Sequence, residues 1–389
     1  MSKWQQVKLG DIACNIQTGP FGSQLHQSDY SETGTPVVMP KDLVEGKISE
    51  QSIARVEASH IERLAKHKIQ NGDILYSRRG DVGRCAYAGK KETGWLCGTG
   101  CLRVTIDESH ALPKFIFYQL QTSQSVGWVE KHAVGSTMLN LNTSILSNIP
   151  ILLPPIEVQR KIADVLSAYD DLIENNRKQI KLLEEAAQRL YKEWFIDLRF
   201  PGHESTPIVN GIPADWERKK LEKICPILTG KRDANFGSPE GKYLFFTCAQ
   251  EPIKSATFSF DTSAVILAGN GDFNVKLYRG KFEAYQRTYV LSPQNSEMLF
   301  LLFGSVRTNM CDLTQKASGS TIKFLTRGMI ANIEILVPDD NLLKQYNNFS
   351  NNIQKKIEYL SDSIKYVTET RNRLLPKLMS GELEVANEI

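Results

Sequence analysis

The side chains that most often carry covalent chemistry are scattered in this chain. The six histidines stand at 26, 60, 67, 110, 132 and 203. Only His60 and His67 share a helical spacing, and no third ligand accompanies them. The seven cysteines form no C-x-x-C pair. The closest two, Cys97 and Cys101, read as reduced, part-buried thiols rather than metal ligands. No G-x4-G-K-[ST], G-x-S-x-G or H-E-x-x-H pattern occurs. "GTGCLR" at 98–103 is Gly-rich but precedes a strand-like run, whereas a phosphate loop joins a strand to a helix. Gly80-Asp81 and Gly271-Asp272 each follow an apolar run. They read as strand-ending turns, with Gly for positive φ and Asp for an Asx turn, rather than as catalytic carboxylates.

The chemistry left to the chain is non-covalent recognition. Loop positions in the first part carry Lys41, Arg78, Arg79, Arg84, Ser136, Thr137, Asn140 and Asn142. The second part carries Lys231, Arg232, Asn270, Asn274, Lys276, Arg279, Ser320, Thr321, Lys323 and Arg327. Arg, Lys, Asn, Ser and Thr are the donors used on phosphates and base edges. Net charge is only +3, but it is unevenly spread. Residues 1–150 hold 16 Lys+Arg against 14 Asp+Glu, or +2, and residues 213–338 hold 16 against 12, or +4. The segments between and after them are slightly acidic, so any basic surface belongs to these two blocks.

The elements that position these donors occur twice. "GSTMLNLNTSILSNIPILLPP" (135–155) and "GSTIKFLTRGMIANIEILVPD" (319–339) agree at nine of 21 positions. "WQQVKLGDIACNIQTG" from Trp4 is echoed by "WERKKLEKICPILTG" from Trp216, and "GDVGRCAYAG" from Gly80 by "GDFNVKLYRG" from Gly271. The order W…TG, strand-GD…YxG, GST…ILxP therefore recurs, with offsets drifting from 212 through 191 to 184. A duplicated domain with a constant frame and variable loops accounts for this. Strand-like runs are "TPVVMP" (35–40), "DILYS" (73–77), "GRCAYAG" and "CLRVTI" (101–106), matched later by "KYLFFT" (242–247), "AVILA" (264–268), "VKLYRG" and "TYVLS" (288–292). One helix is expected from Lys114 and its counterpart from Ser296, so each domain mixes α and β.

A helical seam follows each Pro-ended echo. The first passes through Val158, Ile162, Val165, Tyr169, Ile173, Asn176, Ile180, Leu183, Ala187, Leu190 and Trp194. The second repeats it 184 residues later: Leu342, Tyr346, Phe349, Ile353, Ile357, Leu360, Ile364, Val367, Arg371, Leu374 and Leu378. Steps of 3 and 4 make a heptad seam with one stutter at the same place in both copies. At 1.5 Å per residue each helix runs about 55–60 Å. The expected fold is α+β: two mixed α/β globular domains separated by two long antiparallel coiled-coil helices, as a pseudo-two-fold internal repeat. Asn176 would fix register, and Arg371 would snorkel out of the seam.

The expected boundaries are 1–153 for the first globular domain, 154–199 for the first long helix and 200–212 for a Pro/Gly-rich linker. The second domain follows at 213–337, the second long helix at 338–380 and a short acidic tail at 381–389. No apolar run reaches the ~18 residues of a membrane span, and the N-terminus has no signal-like core, so a cytoplasmic location with no membrane partner is expected.

This organisation resembles the specificity subunit of type I restriction–modification systems. The resemblance rests on the duplicated W…TG…GST…ILxP frame and on the P-P-x-x-x-Q-x-x-I-A-x-x-L run from Pro154 to Leu166. It rests also on "TGPFGSQLHQSDY" (18–30) and the closing "RNRLLPKLMSGEL". The second copy departs from it, since "VPDDNLLKQYNNF" lacks the second Pro and the Ile-Ala. The resemblance implies two target-recognition domains reading an asymmetric, bipartite duplex DNA with a fixed gap. It implies two methyltransferase subunits docked on the helices, with restriction (translocase-nuclease) subunits joined through them. The chain itself would bind no cofactor; S-adenosylmethionine, ATP and magnesium would belong to the partners. The competing readings are a subunit of a related methylation-only or type IIB-like system, an enzyme with an unrecognised site, and a coiled-coil scaffold with protein-binding ends.

Overall fold

The computed structural model describes residues 4–135, 139–319, 321 and 323–385. The chain divides into two compact units. One comprises residues 1–175 and 363–389, the other 176–362. Each therefore holds one globular domain and the adjoining parts of both long helices.

In the first unit a four-stranded antiparallel sheet has the order Ala13–Thr18, Cys101–Ile106, Ile74–Ser77, Cys85–Tyr87. The second unit contains the same order: Ile227–Thr229, Thr288–Leu291, Phe260–Ala268, Val275–Ala284. There two more strands, Tyr243–Phe246 and Ile253–Ser255, extend it to six. In both units the strand after the leading Trp pairs antiparallel with the strand before the long helix. Gln5–Lys8 lies on Pro150–Leu153, and Glu217–Lys220 lies on Glu334–Val337. This is the frame that the sequence repeat spells.

The expected single helix from Lys114 is two, Pro113–Leu120 and Ser123–His132. Thr122 breaks it by adopting extended backbone and accepting the Ser125 N–H, which makes it an N-cap. Its counterpart likewise divides into Leu299–Thr308 and Met310–Lys316. The linker is not slack. It contains a hairpin, Ile208–Val209 with Ile212–Pro213, turned by Asn210 (φ 53°) and Gly211 (φ 79°). Phe200 is buried on Trp216, ring centroids 4.8 Å apart.

The first long helix is Ile156–Tyr191, continued by a π-turn over Lys192–Ile196; the second is Asp340–Ser380. Within the first unit, Ile162, Ala163 and Leu166 share a core with Leu378 and Met379. Arg371 meets Asp170, so the two helices run antiparallel there. Within the second unit Trp194 and Phe195 pack on Tyr346 at 5.8 and 4.8 Å. The seam positions Ile162, Ile173, Asn176 and Leu360 are buried. Val165, Tyr169, Ile180, Leu183, Leu190, Ile353, Ile357, Ile364, Val367 and Leu374 are half-buried. Phe349 departs from the seam. It is 52% exposed and only edges onto Trp194.

Arg371 does not snorkel. Its Nη1 donates to Asp170 Oδ1 at 2.6 Å, and Tyr118 Oη donates to Asp170 Oδ2 at 2.6 Å. The carboxylate was already in the first helix, but periodicity says nothing about which cross-helix neighbour a charge will find. Burial, together with the Asp170 charge, pushes the Tyr118 hydroxyl pKa up.

The two helices start differently. Gln159 is 1% exposed; its Nε2 donates to Pro154 O at 2.8 Å and its Oε1 accepts the Leu112 N–H at 2.9 Å. One amide thus satisfies two backbone groups where helix meets domain. In the second copy Asp339 takes the place of Pro155 and accepts the Asn341 and Leu342 N–H groups at 2.9 and 3.0 Å, as an N-cap does. Gln159→Leu should lower first-unit stability by about 1–3 kcal/mol, because both buried partners lose their bond. An unchanged chemical-denaturation midpoint would contradict this role.

Candidate nucleic-acid interface

In each unit two loops are clipped together at one end of the shared sheet. In the first, the chain leaves the strand Ile74–Ser77 through Arg78, Arg79, Gly80 and Asp81. Gly80 N donates to Leu139 O at 3.1 Å, and Leu141 N to Arg78 O at 2.8 Å. Arg79 and Asn140 form an antiparallel bridge. In the second, Leu325 N donates to Gly269 O at 2.8 Å and Asn270 bridges Phe324. Gly80 and Gly271 have φ of 75° and 66°, so the turn glycines serve the backbone as expected. Asp81 does not close an Asx turn. Its Oδ2 accepts from Arg84 Nε and Nη2 at 3.1 and 2.8 Å.

The candidate donors divide by what already holds them. In the first unit Arg79 is exposed at the bridge, and Arg78 and Asn140 flank it. Arg84 is bound to Asp81. Asn142 is the N-cap of the short helix Thr143–Ser147, accepting the Ile145 N–H at 2.8 Å. Lys41 donates to Ser52 O at 2.9 Å. Ser136, Thr137 and Ser320 lie outside the described residues.

In the second unit Lys231, Thr321, Lys323 and Arg327 are exposed, and Asn270 lies at the clip. Lys276 and Arg279, grouped with the loop donors although "VKLYRG" reads as strand-like, lie in the strand Val275–Ala284, as that run indicates. Lys276 Nζ donates to Ala249 O at 3.0 Å and to Asn274 Oδ1, and burial pulls its pKa down. Asn274 Nδ2 donates to Cys248 O at 3.0 Å. Arg279 donates to Asn351 of the second long helix at 3.1 Å. Arg232 Nε donates to the fully buried Glu283 at 3.3 Å.

Buried side-chain polar atoms normally have partners. Among the described residues, Arg78 Nε, Thr99 Oγ1 and Asn140 Oδ1, which belong to the clip and the strand turn beside it, are buried without one. Arg78 N donates to Gly100 O at 2.8 Å, which joins that turn to the clip. Thr99 was missed from sequence because its neighbour is set by strand pairing. Phe21 and Phe236 were missed too. They project from the loops after the two T-G pairs, and an exposed aromatic after a turn was the available signal.

No group of three or more His, Cys, Asp or Glu side chains among the described residues is placed to hold a metal ion. Cys97 and Cys101 are free and buried, and burial pushes the Cys97 thiol up to about 12. No helix among those residues is long and apolar enough to cross a membrane.

A family model described as the type I restriction modification DNA specificity domain matches residues 1–185 and again 213–375. The chain is 37% identical over 183 residues to the type I restriction enzyme EcoDI specificity subunit of Escherichia coli; the match spans 44% of this chain and 39% of that one. It is 27% identical to the MjaIX specificity subunit of Methanocaldococcus jannaschii across 98% of this chain and 94% of the other. A crystal structure of a type I restriction–modification S subunit from M. genitalium has the same fold, with TM-score 0.61, 17% identity and 96% coverage of both chains. The double match falls on the two domains that share one strand order and one loop clip, and this chain belongs to the type I restriction–modification DNA specificity subunit family.

Proposed function

We propose that this chain is the non-catalytic DNA-recognition subunit of a type I restriction–modification complex. The first domain reads one half of an asymmetric, bipartite duplex target and the second reads the other half. The long helices set the unread gap and dock two methyltransferase subunits, through which restriction subunits join. In this reading S-adenosylmethionine, ATP and magnesium are bound by those partners, and the complex works in the cytoplasm. The observation that carries it is the loop clip, built on the same strand order in both domains but furnished with different side chains. A constant frame with variable donors is what two half-sites of different sequence require.

Replacing Arg79 tests the reading. Arg79→Ala in the full chain should weaken duplex binding about tenfold and relax base preference in one half-site only. Selection from random duplexes followed by sequencing reads both. Equal relaxation of both halves would contradict separate readout. Methyl transfer to DNA by the purified chain alone, given S-adenosylmethionine, would overturn the non-catalytic assignment.

A further inference from the structure

Each domain carries an exposed phenylalanine in the loop after its first sheet strand. Both follow the T-G pair that ends the first strand of the shared sheet. Phe21 is 54% exposed and Phe236 is 37% exposed. Phe236 also edges onto the buried Phe245, ring centroids 6.1 Å apart, and Phe258 and Phe324 of the second domain are exposed to a similar degree. Water-facing aromatic rings of this size forfeit burial energy unless something covers them later.

Both phenylalanines stand in hydrogen-bonded turns. Phe21 O accepts the Gln24 and Leu25 N–H groups at 2.8 and 3.2 Å, and Phe21 N donates to Gln24 Oε1 at 3.2 Å. Leu25 is buried and anchors this turn in the domain. Phe236 ends the 3-10 turn Ala234–Phe236, with its N–H on Asp233 O at 3.1 Å. The approach to each loop is equally tight. A Cβ on Gly19 would lie 2.0 Å from Gly98 O, and one on Gly230 would lie 1.9 Å from Ala284 O. Both loops therefore leave the sheet against backbone, although their sequences differ.

An arginine stands over each ring. Arg78 lies 5.5 Å from the Phe21 centroid and Arg232 lies 4.3 Å from that of Phe236. The two arginines come from different places in the repeat, yet they reach the same arrangement. An exposed ring with a guanidinium on one face is suited to stack on a base with its other face; Arg232 is in addition paired with the buried Glu283. In the first domain the ring adjoins Arg78 Nε, one of the unpartnered polar atoms of the clip.

We infer that Phe21 and Phe236 are wedges, one per domain, that enter a base-pair step of each half-site and partly unstack it. The inference rests on the DNA-recognition reading above. Opening a step costs about as much as one ring–base stack returns. The wedge therefore adds little affinity at a stiff step and more at a flexible pyrimidine–purine step. Part of the specificity would then come from step deformability.

The test uses the full chain and a random duplex pool. Wild type should enrich a bipartite sequence with a pyrimidine–purine step in each half. With 2-aminopurine scanned through that sequence, fluorescence should rise at one step per half. Phe21→Ala should abolish the rise in one half only and weaken binding roughly tenfold. Phe236→Ala should do the same in the other half, and Phe21→Tyr should retain both signals. Thermal unfolding at the wild-type midpoint shows that the exposed sites were changed without loss of fold. Wild type that enriches no sequence overturns the DNA reading and the wedge with it. Sequence-selective binding with no fluorescence rise, or with a rise that survives Phe21→Ala, overturns the wedge alone.

Discussion

Arg371→Ala should cost the first unit about 2–3 kcal/mol, and Asp170→Ala about the same. The pair is only about one-fifth exposed, with side-chain accessibilities of 21% and 19%. Breaking a buried ion pair leaves an uncompensated charge, for which roughly 3–5 kcal/mol is typical, and the remaining solvent contact reduces that. Either change also strands a partner. Without Asp170 the Tyr118 hydroxyl loses its acceptor; without Arg371 the carboxylate keeps only Tyr118. A fall of roughly 5–10 °C in the unfolding midpoint is expected for a unit of this size. The double replacement Asp170→Leu with Arg371→Met should recover most of the loss, since an apolar pair of similar volume carries no desolvation cost. Simple addition of the two single losses in the double variant would sink the claim that they are coupled.

On the proposed reading, removing one seam heptad from each long helix should change the target more than any loop substitution. Seven residues at 1.5 Å shorten a helix by about 10.5 Å, close to three base pairs at 3.4 Å. The seam keeps its register because a whole heptad is lost from both sides. The native target should then no longer be bound, and a target with a gap about three base pairs shorter should replace it, with both half-site sequences unchanged. Mapping methylated adenines in cells that carry the variant and its partners gives half-sites and gap in one readout. Altered half-sites with an unaltered gap would refute the spacing role.

The internal repeat makes much of the fold legible in the sequence. A 3–4 seam over eleven positions has one economical solution, burial against a matching seam, and those positions are buried or half-buried save Phe349. The paired T-G, G-D and G-S-T signals marked backbone constraints, and Gly80 and Gly271 meet theirs with positive φ. The surroundings of the candidate recognition residues were less legible. Lys276 and Arg279, counted as loop donors, stand in the strand-like "VKLYRG", and the strand Val275–Ala284 holds both. Asn142 is exposed, and its side-chain carbonyl also caps a short helix.

By itself the amino-acid sequence determined that there are two copies of one domain, where each passes into a long helix, and which helix face is buried. These are periodic or local properties, carried by neighbours in the chain. Tertiary structure alone decided which distant groups meet: Arg371 with Asp170, Gln159 with the Leu112 amide, Arg78 and Arg232 each over an exposed phenylalanine. Such pairings depend on strand order and loop path, where a displacement of a few ångströms makes or breaks a hydrogen bond. The frame could therefore be read from spacing, while which candidate donors are already held by other groups emerged only once the loops were folded.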